Sequence, residues 1–142
     1  MGSNMATTLT LKLEIVTPAG TVYSEDVDMV TLPGVAGQMG IYPGHVRLMT
    51  EMVPGEMIVR KDGRDLLIAT GEGLIEVTAS GVAVLTDLAI PADRIDEALA
   101  EEARQRAEAR LREKLSDDEI ASVNASLSRS LAQLRVKQRR KV

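Results

Sequence analysis

The sequence predicts an α+β chain: an N-terminal antiparallel β-sandwich or flattened barrel, followed by a C-terminal antiparallel hairpin of two helices. Two observations predict it. All five prolines (Pro18, Pro33, Pro43, Pro54, Pro91) and all eleven glycines lie within residues 1–91, and none follow. Gly and Pro punctuate strands and turns, while their absence permits uninterrupted helix. Apolar residues alternate with polar ones before the break and recur at every third or fourth position after it. The charge changes too: residues 1–90 hold 5 basic and 11 acidic side chains, and residues 91–142 hold 12 and 10. The expected divisions are 1–7, a vector-derived leader and disordered N-terminus; 8–90, the sandwich; and 91–142, the helical hairpin. Met1-Gly2-Ser3-Asn4 ahead of Met5 marks the leader.

Within the first part, Leu9, Leu11, Leu13 and Ile15 alternate with Thr10, Lys12 and Glu14, the period-2 pattern of a half-buried strand. Pro18-Ala19-Gly20 turns the chain. A second strand is expected over Val27–Leu32, ended by Pro33-Gly34. Met57–Arg60 and Asp65–Ala69 flank Lys61-Asp62-Gly63-Arg64, where the Asp-Gly pair suits a type I′ hairpin turn. Leu74–Thr78 and Val82–Thr86 are further strands, separated by Ala79-Ser80-Gly81. The Gly-rich stretch Gly34, Gly37, Gly40, Gly44 has neither a P-loop lysine nor G-x-G-x-x-G spacing, so it reads as an ordered irregular loop.

Asp93 is the expected N-cap of the first helix. Ile95, Leu99, Ala103, Ala107, Leu111 and Leu115 then form a narrow stripe at i+4 spacing, with Glu102–Arg106 and Glu108–Arg112 as i,i+4 pairs. Ser116 and Glu119 form a capping box for the second helix. Its stripe is Ile120, Val123, Leu127, Leu131 and Leu134. Facing positions such as Ala103, Ala107, Ala121, Ala125, Ser126, Ser130 and Ala132 bury little apolar area. At ~25 cal/mol per Å² such a seam holds only a few kcal/mol, which a partner could overcome. An ordinary Ala-rich hairpin that never moves is the competing account.

The 142 residues contain no Cys, Trp or Phe, and only Tyr23 and Tyr42 are aromatic. A disulfide framework, a zinc-thiolate site and a thiol nucleophile are excluded. Stacking of single-stranded nucleic acid lacks its platforms. The net charge of −4 argues against binding polyanions over the whole surface. No apolar run suits a bilayer span, and no signal-peptide pattern is present, so export is not expected. His45 is the only histidine and has no carboxylate or nucleophile near it in sequence, so a surface contact or structural hydrogen bond is expected. Residues 120–142 contain Arg129, Arg135, Lys137, Arg139, Arg140 and Lys141 and no acid. Cations at a helix C-terminus complement the macrodipole. Six exceed that need and point to an acidic partner, either a protein surface or a nucleic-acid backbone.

Gly37-Gln38-Met39-Gly40-Ile41-Tyr42-Pro43-Gly44-His45, with Leu48, Thr50 and Pro54-Gly55, resembles the signature loop of the ε subunits of bacterial F-type ATP synthases. Gly71–Val77 resembles that family's later strand motif, Asp96–Ala107 its first C-terminal helix, and Leu131–Val136 its second. The resemblance implies a non-catalytic rotor subunit, peripheral on the cytoplasmic face of the bacterial membrane. Its sandwich would grip the γ subunit and sit against the c-ring, with Gln38, Tyr42 and His45 in the contact loop. The hairpin would lie folded, or extend into the α/β head and inhibit ATP hydrolysis. Arg129, Arg135, Lys137, Arg139 and Arg140 would then meet an acidic segment of the β subunit. Some members bind ATP on the hairpin through an I/L-D-x-x-R-A motif. Here Ile95-Asp96-Glu97-Ala98-Leu99-Ala100 has Leu99 in place of Arg; Asp96, Arg106 and Arg129 match, and Gln133 replaces another arginine. Losing that guanidinium implies weak ATP binding or none, and no cofactor.

Overall fold

A computed structural model describes residues 9–141, with the side chains of Arg140 and Lys141 outside the description. The expected leader, residues 1–7, lies outside the described residues. Ten strands come first: β1 (Leu11–Thr17), β2 (Gly20–Val27), β3 (Met29–Gly34), β4 (Gly37–Ile41), β5 (Leu48–Met52), β6 (Gly55–Lys61), β7 (Arg64–Thr70), β8 (Gly73–Val77), β9 (Gly81–Thr86) and β10 (Ala89–Pro91). A 3₁₀ turn, Ala92–Arg94, leads to helices α1 (Glu97–Leu111) and α2 (Asp117–Lys141).

The strands run in the order β10-β7-β6-β3-β5-β8-β9-β1-β2, with β4 paired to β3. The pairs are antiparallel apart from β1 and β9, which run parallel with Lys12 opposite Gly81. The sheet curls on itself as a sandwich. Leu11, Leu13 and Ile15 of β1, Val30 and Leu32 of β3, Met57 and Val59 of β6, Ile75 of β8 and Val84 of β9 share one buried core.

Strand alternation holds from Leu11 onward, Leu9 lying exposed ahead of β1, and the Asp62-Gly63 turn appears as expected, with φ of +53° and +75° at the two turn residues. The Gly-rich stretch does not. Only Gly44 stays in an irregular loop, beyond β4; Gly34, Gly37 and Gly40 lie in the β3–β4 hairpin, with Gly34 opposite Gly37. Glycine suits this place because a Cβ on Gly34 would stand 2.7 Å from the Met39 sulfur. The strand expected over Val27–Leu32 is the third, because the largely exposed β2 pairs with β1 first.

The first helix also starts later than expected. Ile95 is extended and docks in a second apolar cluster with Ala69, Ala92 and Val136. The N-cap is therefore Asp96, whose carboxylate accepts from the Leu99 N–H at 3.1 Å, and not Asp93, which sits in the 3₁₀ turn. Within the helix the expected stripe holds at Ala103, Ala107 and Leu111 and fails at Leu99, because strict i+4 spacing drifts by about 40° per step on a helix of 3.6 residues per turn. Ala100 and Ala107 are buried, and Leu99 is 61% exposed. In α2, which touches both α1 and the β6–β7 face, Ser130, Ala132 and Val136 are buried, while Ile120 and Leu131 are exposed. The capping box forms as read: the Ser116 N–H donates to Glu119 Oε1 at 3.0 Å, and the Glu119 N–H to Ser116 Oγ at 3.2 Å.

Candidate functional site

The first group of candidate residues surrounds β4. Gln38, Tyr42 and His45 were expected in one contact loop, and the structure separates them. Gln38 opens β4 beside the Gly34–Gly37 turn; Tyr42 and His45 follow the strand's other end. Five extended residues span about 13 Å. Tyr42 is 60% exposed. The His45 N–H donates to the Tyr42 carbonyl at 3.2 Å, and His45 Nδ1 lies 2.8 Å from the Val46 carbonyl oxygen. That is a structural histidine turned on its own loop.

A second surface, which sequence reasoning missed, is the outer face of β5, β8, β9 and β1. Register places Leu74 opposite Leu85, and Leu85 opposite Val16. Met49, 65% exposed, stands diagonally beside Leu74. Glu51 faces Leu74, Glu76 faces Met49, and Glu14 faces Ala83, so acids edge the apolar row. Its open end is a groove of about 460 Å³ lined by Val16, Pro18, Glu72, Leu74, Leu85 and Asp87. An exposed cross-strand apolar row of this kind fits a partner presenting apolar groups flanked by cations. The signal was in the sequence: Leu74 and Leu85 occupy the phase opposite to the core residues Ile75 and Val84.

The third group is the basic end of α2, which lies on β6 and β7. Arg129 donates to Asp87 Oδ2 at 3.4 Å and to Ser126 Oγ at 3.1 Å. The Lys137 ammonium donates to the Ala92 carbonyl at 3.3 Å. Arg139 donates to Glu56, a buried carboxylate on β6. Arg135 is exposed, and the side chain of Arg140 lies outside the described residues. The docked hairpin thus occupies three of the five cations, two with carboxylates of the sandwich and one with the 3₁₀ turn that follows it. Nearby, Arg60 hydrogen-bonds Asp65 at 2.9 Å and holds that carboxyl below its ordinary range, with the charge of Arg139 acting in the same direction.

On α1 the expected Glu102–Arg106 and Glu108–Arg112 pairs give way to a cluster on Arg104. It binds Glu101 and, at 2.6 Å, Glu108, which hold the guanidinium still more firmly protonated, and in return Arg104 pushes the Glu101 carboxyl down. Of the candidate nucleotide residues, Asp96 stands apart from Arg106, which lines a cleft between the helices with Ser126. Asp96 spends its carboxylate on the helix cap, and Arg106 lies about 15 Å along the axis. Arg129 is turned to Asp87. Among the described residues there is no group of three or more His, Cys, Asp or Glu able to hold a metal ion, and no helix is long and apolar enough to cross a membrane.

Residues 10–92 match the family description "ATP synthase, Delta/Epsilon chain, beta-sandwich domain", and residues 93–138 match "ATP synthase, Delta/Epsilon chain, long alpha-helix domain". The ATP synthase epsilon chain of Herpetosiphon aurantiacus is 41% identical over 126 residues, covering 89% of this chain and 93% of its relative. The chain belongs to the ATP synthase epsilon family. The epsilon chain of Laribacter hongkongensis is 36% identical, covering 89% of this chain and 91% of the relative. Epsilon chain 2 of Syntrophotalea carbinolica is 43% identical, covering 89% and 92%. The fold of this epsilon-family chain also matches a chain in the Euglena gracilis mitochondrial ATP synthase OSCP/F1/c-ring assembly. That match has a TM-score of 0.76 at 20% identity, covering 90% of this chain and 81% of that one.

Proposed function

We propose that this epsilon-family chain is a non-catalytic rotor component of a bacterial F-type ATP synthase. In this reading its sandwich docks on the γ subunit and the c-ring, and its hairpin restrains ATP hydrolysis. The observation that carries the docking role is the acid-edged apolar row of exposed Leu85, Leu74 and Met49 with half-buried Val16, on the sheet face that the hairpin leaves open. Apolar area left uncovered on so small a fold is spent on a partner. The hairpin's role rests on its cations. Arg129 and Arg139 are held by carboxylates of the sandwich and Lys137 by the 3₁₀ turn after it; an acidic surface on the β subunit would replace those acceptors and would also take Arg135 and Arg140. The complex, and not a membrane-spanning segment, would then hold the chain at the cytoplasmic face of the membrane.

Nucleotide sensing has no part in this reading, because Leu99 stands where the motif needs an arginine and Asp96 is committed to the helix cap. Micromolar ATP affinity by calorimetry overturns that exclusion. The deciding experiment adds full-length chain, and separately residues 1–90, to an ε-depleted catalytic head. Full-length chain is expected to bind and suppress ATP hydrolysis; residues 1–90 are expected to bind without suppressing it. Binding of both with suppression by neither removes the inhibitory role, and binding of neither removes the docking role.

A further inference from the structure

Among the described residues Glu56 is the one buried carboxylate, and it meets α2 through Arg139. It stands on β6 opposite Ala69, which belongs to the apolar cluster that Val136 of α2 joins. Its side chain is 8% exposed, whereas that of its partner Arg139 is 53% exposed. One carboxylate oxygen receives the guanidinium, and the other has no hydrogen-bond partner among the described residues. We propose that Glu56 makes the seating of α2 reversible: it is a desolvated carboxylate that opposes docking, only half compensated by Arg139.

The physical basis is the unequal burial of the two charges. Docking takes Glu56 out of water, because α2 covers this face, and undocking returns it. A buried pair recovers its desolvation cost only when both partners are fully hydrogen-bonded, and an unmade bond on a buried oxygen recovers nothing. Arg139 stays half in water whether or not Glu56 is present, and it also lies in the field of Asp65. Substitutions of the two partners therefore act in opposite directions. Removing the acid relieves docking of its cost and leaves Arg139 hydrated. Removing the base strands the acid. An ordinary latch would loosen in both cases.

This inference deepens the reading of a displaceable hairpin and rests on it, but its test uses the isolated full chain without a catalytic head. The chain has no cysteine, so Ser128→Cys on α2 and Glu76→Cys on β8, both exposed, give two clean spin-label sites. Pulsed dipolar spectroscopy reads the docked and undocked distances, and amide exchange over residues 130–137 reads small undocked populations. Arg139→Ala is expected to raise the undocked population at least tenfold. Glu56→Leu is expected to lower it at least tenfold, and Glu56→Gln to lower it less. The Glu56→Leu/Arg139→Ala double variant is expected to follow Glu56→Leu. Loosening by Glu56→Leu and Glu56→Gln, or no change with any variant, overturns the proposal. Shifts in the stated directions without inhibition of the head would uphold it and remove only the inhibitory role.

Discussion

The sandwich and the hairpin are built on different terms. Leu13, Ile15, Val30, Leu32, Met57, Ile68 and Ile75 are wholly or almost wholly removed from water within the strands' own core. In the helices the buried residues are Ala100, Ala107, Ser130, Ala132 and Val136, and Val136 is buried against the sandwich. The strands own their core; the helices borrow theirs. Stability and detachability are thereby assigned to different residues of one chain.

Core truncation has the largest expected effect. Leu13→Ala should cost about 3 kcal/mol through lost transfer energy and a cavity, read as a lowered urea midpoint with the slope kept. Val136→Ala should cost about 1.5 kcal/mol for two buried carbons. That loss should appear in amide exchange of α2 and leave exchange in β1 and β9 unchanged; equal loss in both regions would contradict the separation. Ser116→Ala removes half the capping box at a cost of about 1 kcal/mol to the start of α2, read as lost helicity by circular dichroism. Acidification has the smallest expected effect. The Ser116 N–H, then its hydroxyl, holds the Glu119 carboxyl below the ordinary glutamate range. A depressed folded-state value contributes stability that is present above the unfolded value, about 4.3, and is lost as pH falls through the folded one. Helicity of the hairpin should fall across that window, and Glu119→Gln should flatten part of the fall. Glu101, lowered by Arg104, supplies another part.

Much of the fold was legible because local chemistry left few alternatives: alternation in β1, Asp62-Gly63 in its turn, Ser116 and Glu119 in their box. What escaped was tertiary. Glu56-Met57-Ile58-Val59 and Leu66-Leu67-Ile68-Ala69 are runs without strict alternation, as expected of strands covered on both faces, and α2 is the second cover. Nothing in the spacing of Arg139 named Glu56 as its partner. β2 went unread because it is a mostly exposed edge strand with few apolar residues. Leu99 was misplaced because positions four apart drift by about 40° per step around a helix of 3.6 residues per turn, so Ala100, seven residues before Ala107, shares its buried face and Leu99 does not.

The parallel pairing of β1 with β9 has a consequence in time. On a chain made from its N-terminus, β1 can pair with β2 at once, but its other edge waits for Gly81 to Leu85 to emerge. The platform for α2, formed by the adjacent strands β6 and β7, needs no such wait. Long-range pairing is slow and leaves apolar strands uncovered. Leu11, Leu13 and Ile15 therefore lack their final neighbours until Leu85 of the 142 residues has been made, and the molecule is most open to aggregation while it is being made.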